Sequence, residues 1–225
     1  MILVLHGWAQ DDSYWAGIKN SFPQGEFEIL NLPGFGKEPI ISYDWSISDY
    51  ASWVSNQIRE RGLKEIVLLG HSFGGRIAAL LASQNPDWLK KLILYSAPCL
   101  RRPSLKVKFK MLLAKLAKYF MSGSTGISNQ LFASQDLKES KRMRLEKIFR
   151  NAVEFDQTSS LSNIKIPVLI IWGEVDSEVP IRIAREMSSL IQGSQLEILS
   201  NLGHNAHLEN PILFYGKIKK FVENI

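Results

Sequence analysis

Gly70-His71-Ser72-Phe73-Gly74 is the stretch of this sequence whose residue types and spacing are best suited to chemistry. A serine with glycines two positions away on both sides fits a tight turn in which a flanking Cβ would clash, and such a turn leaves the hydroxyl exposed. The stretch follows an apolar run of strand length, Ile66 to Leu69, and opens a helical pattern over Phe73 to Ser83. Ser72 is therefore expected at a strand-to-helix corner, where the helix N-terminus favours developing negative charge.

A serine hydroxyl is a weak nucleophile at neutral pH, so it needs a base, and the base needs an orienting acid. At a corner of this kind the chain order is Ser, then Asp or Glu, then His. Asp176 follows the strand-like run Val168 to Trp172, and His204 follows the run Leu196 to Leu199. Both should project from the sheet edge that carries Ser72. Glu174 and Glu178 neighbour the acid. His207 is the rival base and is otherwise a helix-start residue that buttresses the loop. His71 should point away from the hydroxyl, and His6 reads as a structural hydrogen-bonding residue. The oxyanion of an acyl-transfer step needs two donors, expected from the backbone N–H groups of Phe73 and Trp8. The Trp8 indole is either a substrate-pocket wall or a plain core tryptophan, as Trp15, Trp45 and Trp53 are expected to be.

The elements that must position these groups are legible as short runs at Ile2 to Leu5, Phe27 to Leu30, Ile66 to Leu69, Leu92 to Tyr95, Val168 to Trp172 and Leu196 to Leu199. Most are apolar at consecutive positions, the pattern of parallel strands buried on both faces. Helical spacing recurs between them at Ser46 to Arg61, Phe73 to Ser83, Arg182 to Ile191 and Pro211 to Asn224. The alternation predicts an α/β fold, a doubly wound and mostly parallel sheet of about six strands. It breaks between residues 101 and 155, where helical stretches are read at Ser104 to Phe120, Ile127 to Phe132 and Lys138 to Val153. Residues 101–155 are thus expected to form a helical lid inserted in a core made of residues 1–100 and 156–225.

Charge is uneven. Residues 101–150 hold 13 Lys and Arg against three acidic residues, a net +10, while the whole chain carries +5. Such a segment either offers a surface to an anionic partner or simply solvates the outer faces of helices. It lacks the aromatic and glycine pattern of RNA-binding modules, so nucleic acid is not expected. The lone Cys99 suits a reducing compartment and reads as a core residue. No leader, membrane span, metal site or phosphate loop is apparent, so a cytoplasmic, monomeric protein without a cofactor is expected.

The stretches LHGW, LPGFG, GHSFGGRIAALLA, IPVLIIWGEVDSEVP and LGHNAHLENP resemble the α/β-hydrolase superfamily. The resemblance covers residues 1–100 and 156–225. It implies a serine hydrolase using Ser72, Asp176 and His204, in a chain that starts at the family's third strand and lacks the first two. Asn31 stands where many relatives carry an acidic residue before LPG. Within the superfamily, HGWAQDDSYW and the helical insertion look most like the pimeloyl-[acyl-carrier protein] methyl ester esterases. That likeness implies an acyl ester substrate, small or bound to an acidic acyl-carrier protein, which Arg101, Arg102, Lys106, Lys110, Arg142 and Arg144 could dock. Arg76 is similar to an arginine of the enzymes that form the cyclohexadiene precursor of menaquinone. A carbon-carbon hydrolase or lyase using the same triad, and a non-enzymatic ligand-binding member of the fold, are the alternatives.

Overall fold

Parallel strands covered on both faces must be apolar at every position, and β1 (Ile2–Leu5), β3 (Ile66–His71) and β5 (Val168–Gly173) are buried throughout. The computed structural model describes residues 1–101 and 135–223 of the chain. With β2 (Phe27–Leu30), β4 (Leu89–Tyr95) and β6 (Gln195–Leu199), the strands form one parallel sheet in the order β2-β1-β3-β4-β5-β6. Side chains alternate between its faces. Leu3, Leu5, Leu68, Leu92, Ile170 and Trp172 enter one core cluster, whereas Ile2, Val4, Val67, Ile93, Leu169 and Ile171 enter the other.

The first cluster is closed by α2 (Ile47–Glu60), α3 (Phe73–Ser83), α5 (Glu146–Glu154) and α7 (Arg182–Leu190), which follow the short α1 (Ala16–Lys19) and α4 (Gln135–Arg142) in this numbering. The second is closed by Trp15, by Ile18 of α1 and by Phe214, Ile218 and Phe221 of α9 (Pro211–Glu223). The short α6 (Thr158–Leu161) and α8 (Ala206–Glu209) complete the set. Among these, α2 starts with a reciprocal cap in which Ser46 and Asp49 satisfy each other's backbone N–H. The chain moves outward from β1 to β2 and then crosses to β3 on the other side of β1. The connections after β1 and β3 therefore diverge, and a crevice opens at the strand ends between them.

Two local expectations change. β4 begins at Leu89 rather than Leu92, because Lys90 and Lys91 interrupt the apolar run without breaking the strand. Lys91 is held by Nζ bonds to the carbonyls of Phe221 and Val222, and Lys90 pairs with Glu65 at the surface. The single helix expected over Lys138 to Val153 is two helices, α4 and α5. Arg144 takes a positive φ of 60°, Leu145 N–H bonds to Ser140 C=O and Arg144 N–H to Lys141 C=O, a closed helix end with arginine where glycine is usual. The helices expected at Ser104 to Phe120 and Ile127 to Phe132 lie outside the described residues, as do Arg102, Lys106 and Lys110. Of the segment expected as a lid, Leu145, Ile148 and Ala152 are buried in the same cluster as the sheet.

Candidate active site

Ser72 lies between β3 and α3 with φ 49° and ψ −110°, a conformation that a side chain rarely adopts. Strain of this kind costs on the order of 1–3 kcal/mol and persists only where packing enforces it. Here the neighbouring glycines let the packing close. A Cβ on Gly74 would run into the carbonyls of Leu5 and His6, and one on Gly70 would meet Gly75 Cα at 2.6 Å. The strand end of β1 thus lies directly against the start of α3, and Gly74 N–H bonds to His6 C=O at 3.1 Å.

Asp176 and His204 meet. His204 Nδ1 lies 2.8 Å from Asp176 Oδ2, and both residues are buried. The other carboxylate oxygen, Oδ1, accepts from the N–H groups of Glu178 and Val179 at 2.9 and 2.8 Å. The carboxylate is therefore fixed on both sides, and its remaining acceptor capacity is aimed at the imidazole. The backbones beneath them are in contact, since a Cβ on Gly173 would strike the carbonyls of Leu202 and Gly203. His204 Nε2 has the half-exposed Glu178 carboxylate 3.6 Å away.

Two cavities meet at this place. One, of about 370 Å³, is lined by Gly7, Trp8, Gln10, Ser72, His204 and Glu178 among others, with Glu139 at its wall. The second, of about 480 Å³, shares Trp8, Ser72 and Glu178 and adds Phe73, Arg76, Phe149 and Val179. The expected nucleophile and base thus line one cavity. Trp8 lines both and is also packed edge-on against Phe35, Phe73 and Phe149 at 5.0–5.2 Å between ring centroids, so wall and core are the same residue.

The backbone donors around Ser72 can be accounted for individually. Ser72 N–H bonds to Tyr95 C=O and Gly75 N–H to Ser72 C=O. Among the described residues, no acceptor stands against the N–H of Phe73 or of Trp8. Phe73 is the first residue of α3, where a helix leaves its amides unpaired. Trp8 sits at the corner of a turn closed by Gln10 N–H to Gly7 C=O at 3.3 Å.

The remaining histidines are buried and held away from the cavity walls. His6 Nε2 accepts from Leu32 N–H at 3.0 Å and Nδ1 donates to Gly7 C=O at 2.8 Å, and burial pushes its pKa down to about 4. His207 stacks on Trp15 at 4.3 Å and bonds to the Tyr95 hydroxyl, and burial also pushes it down to about 4. His71 lies between Gln10 Oε1 and the His204 carbonyl, and burial holds it neutral, well below the usual imidazole value. Cys99 is fully buried and its thiol is pushed up to about 12 by burial.

Arg76 is buried on the first turn of α3, at the wall of the second cavity. Burial lowers its pKa to about 10, so it stays charged at neutral pH. Its side chain donates to Phe155 C=O at 3.0 Å, and among the described residues no carboxylate stands within ion-pair distance. Of the basic residues expected to face a carrier, Arg101 and Arg142 are exposed, and Arg142 pairs with Glu139 at 2.5 Å. Arg144 lines a surface hollow of about 610 Å³ with Tyr43, Glu146, Lys147 and Arg150, away from Ser72. Sequence reasoning missed Gln10 and the closeness of Glu178 to His204, because a loop polar residue carries no spacing signal of its own.

Residues 1–122 match the family model of the alpha/beta hydrolase fold, and the chain belongs to that family. It is 25% identical over 249 residues to a Bacillus subtilis protein named for 2-succinyl-6-hydroxy-2,4-cyclohexadiene-1-carboxylate synthase activity, covering all of this chain and 90% of that one. It is 24% identical to the pimeloyl-[acyl-carrier protein] methyl ester esterase of Aeromonas hydrophila, over 98% of this chain and 94% of that one. An esterase structure from Exiguobacterium antarcticum superposes with a TM-score of 0.78 at 20% identity, over 99% of this chain and 91% of that one, which shows the fold alone. The protein is a hydrolase-superfamily member with a parallel six-stranded sheet, and no described helix is long and apolar enough to cross a membrane.

Proposed function

We propose that the protein is a serine carboxylesterase that works through an acyl-Ser72 intermediate. The observation that carries this reading is the buried Asp176–His204 hydrogen bond at the wall of the cavity that Ser72 also lines.

In this reading Ser72 Oγ attacks the ester carbonyl while His204 Nε2 takes its proton. Asp176 holds the Nδ1–H tautomer and stabilises the imidazolium. The oxyanion is received by the N–H groups of Phe73 and Trp8, which among the described residues have no acceptor to give up. His204 then protonates the departing alcohol and the acyl group stays on Ser72. Water, deprotonated by His204, attacks the acyl-enzyme and releases the acid, and the proton returns to Ser72 Oγ.

The second cavity suits the acyl chain, since Phe73, Phe149, Ala152 and Val179 form an apolar wall. A pimeloyl-carrier methyl ester would place its acyl chain in this cavity, and the Aeromonas hydrophila relative supports it. Arg76 favours a second reading, a carbon-carbon hydrolase or lyase acting on a carboxylate-bearing substrate, which the Bacillus subtilis relative also supports. A guanidinium buried in the wall of the cavity that Ser72 lines, with Asp156 acting on it only from beyond ion-pair distance among the described residues, attracts a carboxylate from the substrate.

The test is turnover of p-nitrophenyl esters of graded acyl length by the protein and by Ser72→Ala. The variant should fold and lose turnover, and turnover that survives at the same rate removes the acyl-serine mechanism. For the carrier, binding to acyl-carrier protein should weaken as salt rises, and flat binding between low and physiological ionic strength removes electrostatic docking.

A further inference from the structure

Three chain segments far apart in sequence must hold the reacting groups in one geometry: the turn after β1 with Trp8, the corner with Ser72, and the loop after β6 with His204. One side chain touches a neighbour of each. Gln10 is 8% exposed and its carboxamide makes all three contacts. Oε1 accepts from Gly7 N–H at 3.0 Å. The same oxygen faces His71 Nδ1 at 3.1 Å, one residue before Ser72. Nε2 donates to Asn205 Oδ1 at 3.2 Å, one residue after His204.

We propose that Gln10 is the positioning residue that sets the oxyanion-hole turn, the nucleophile corner and the base loop in register. The inference rests on the acyl-serine reading above. Its physical basis is that a carboxamide presents an acceptor and a donor in one rigid plane, so Gly7 and Asn205 are fixed relative to each other through two hydrogen bonds. The turn itself is closed twice by this residue, through its backbone N–H to Gly7 C=O at 3.3 Å and through its side chain to Gly7 N–H. This double closure fixes the turn that carries the Trp8 amide, for which no acceptor stands among the described residues. Gly7 has to be glycine for the clamp to form. A Cβ there would meet His71 Nδ1 at 2.9 Å and Gln10 Oε1 at 3.0 Å, in the space that the carboxamide and the imidazole occupy. A neutral His71 has one ring N–H to donate, either from Nδ1 to Gln10 Oε1 or from Nε2 to the His204 carbonyl 3.2 Å away, so it bonds to one of these two acceptors at a time. Gln10 also lines the cavity, but it touches no reacting atom in this arrangement. Its effect should therefore fall on the alignment of donors and base, with little effect on substrate affinity.

The experiment compares the wild-type protein with Gln10→Met, Gln10→Glu and Asn205→Leu. It reads the rate of Ser72 labelling by a fluorophosphonate probe, by intact mass on the folded fraction, together with kcat and KM for p-nitrophenyl butyrate. Gln10→Met keeps the length and removes every hydrogen bond of the side chain. It should slow labelling and kcat by about 10- to 100-fold with KM within about twofold, the range expected when a reacting group is displaced by up to an ångström. Gln10→Glu keeps the acceptor for Gly7, and Asn205 can turn its amide to donate, so this variant should return to within about threefold of wild type. Asn205→Leu, which cuts only the link to the base loop, should slow labelling by about 3- to 10-fold. If Gln10→Met does not fold, Gln10→Glu and Asn205→Leu decide. Labelling of Gln10→Met or Asn205→Leu within twofold of wild type overturns the inference, as does a Gln10→Glu rate no better than that of Gln10→Met. A raised KM at unchanged kcat overturns it too. Wild-type protein that the probe does not label at Ser72 overturns the acyl-serine reading first, and this inference with it.

Discussion

Asp176 grips His204 with one carboxylate oxygen, Oδ2 at 2.8 Å from Nδ1, while its other oxygen is taken by the amides of Glu178 and Val179. The acid is thus anchored to its own loop and cannot swing with the imidazole. Asp176→Asn keeps the shape but offers an NH₂ where an acceptor is needed, which favours the wrong tautomer of His204. The expected result is a loss of about 10³- to 10⁴-fold in kcat for p-nitrophenyl butyrate, with little change in melting temperature. Activity within tenfold of wild type would remove Asp176 from the mechanism.

Gly173 and Gly216 should respond to alanine in opposite directions. A Cβ at Gly173 strikes the backbone carbonyls of Leu202 and Gly203, so Gly173→Ala must push the His204 loop outward. Overpacking of this kind costs about 1–3 kcal/mol, and kcat should fall with it by at least about tenfold. Gly216 lies exposed in α9 with nothing within 4 Å of an added Cβ. Gly216→Ala should therefore stabilise by about 0.5–1 kcal/mol in urea denaturation with activity retained.

Stability should fall between pH 7 and pH 5. His6 and His207 are pushed by burial from the usual 6.5 to about 4, so the unfolded chain binds protons in that interval that the folded one does not. Their contribution is complete above 6.5 and is lost as pH falls through that value toward 4. At pH 5 the loss amounts to about 2 kcal/mol for each histidine, readable as a lower urea midpoint. A midpoint that is flat over this range contradicts burial of the neutral rings.

Cys99 should be inert in the folded protein. Its thiol is fully buried and raised to about 12, with Sγ 3.8 Å from the Gly75 carbonyl. A disulfide reagent at pH 8 should modify it only after unfolding, at the rate of a free thiol. Fast modification of the native protein would place the thiol at the surface.

Substrate charge should be read by Arg76. Arg76→Met is expected to lower kcat/KM for a methyl hemiester of a dicarboxylic acid by about 10-fold or more, and to affect a neutral ester of equal length much less. Equal losses on both substrates would mean that Arg76 acts through packing and its bond to Phe155 alone.

Six strands and their parallel arrangement were legible because burial on both faces writes itself as consecutive apolar residues, at Ile2–Leu5 and Val168–Gly173 above all. The serine corner was legible because only glycine tolerates the backbone contacts found at Gly70 and Gly74. The break between α4 and α5 was not, since Arg144 adopts at the helix end the conformation that glycine normally signals.

Local chemistry, then, is what the sequence by itself determined: which residue types can react, and which runs must be buried. The tertiary structure decided who meets whom. That Asp176, rather than Glu174 or Glu178, bonds to His204 Nδ1, and that Gln10 reaches Asn205 across 195 positions, depends on three connections ending at one rim of the sheet. The physical reason is that hydrogen bonds act over about 3 Å in space and carry no imprint in residue spacing unless both partners share one element.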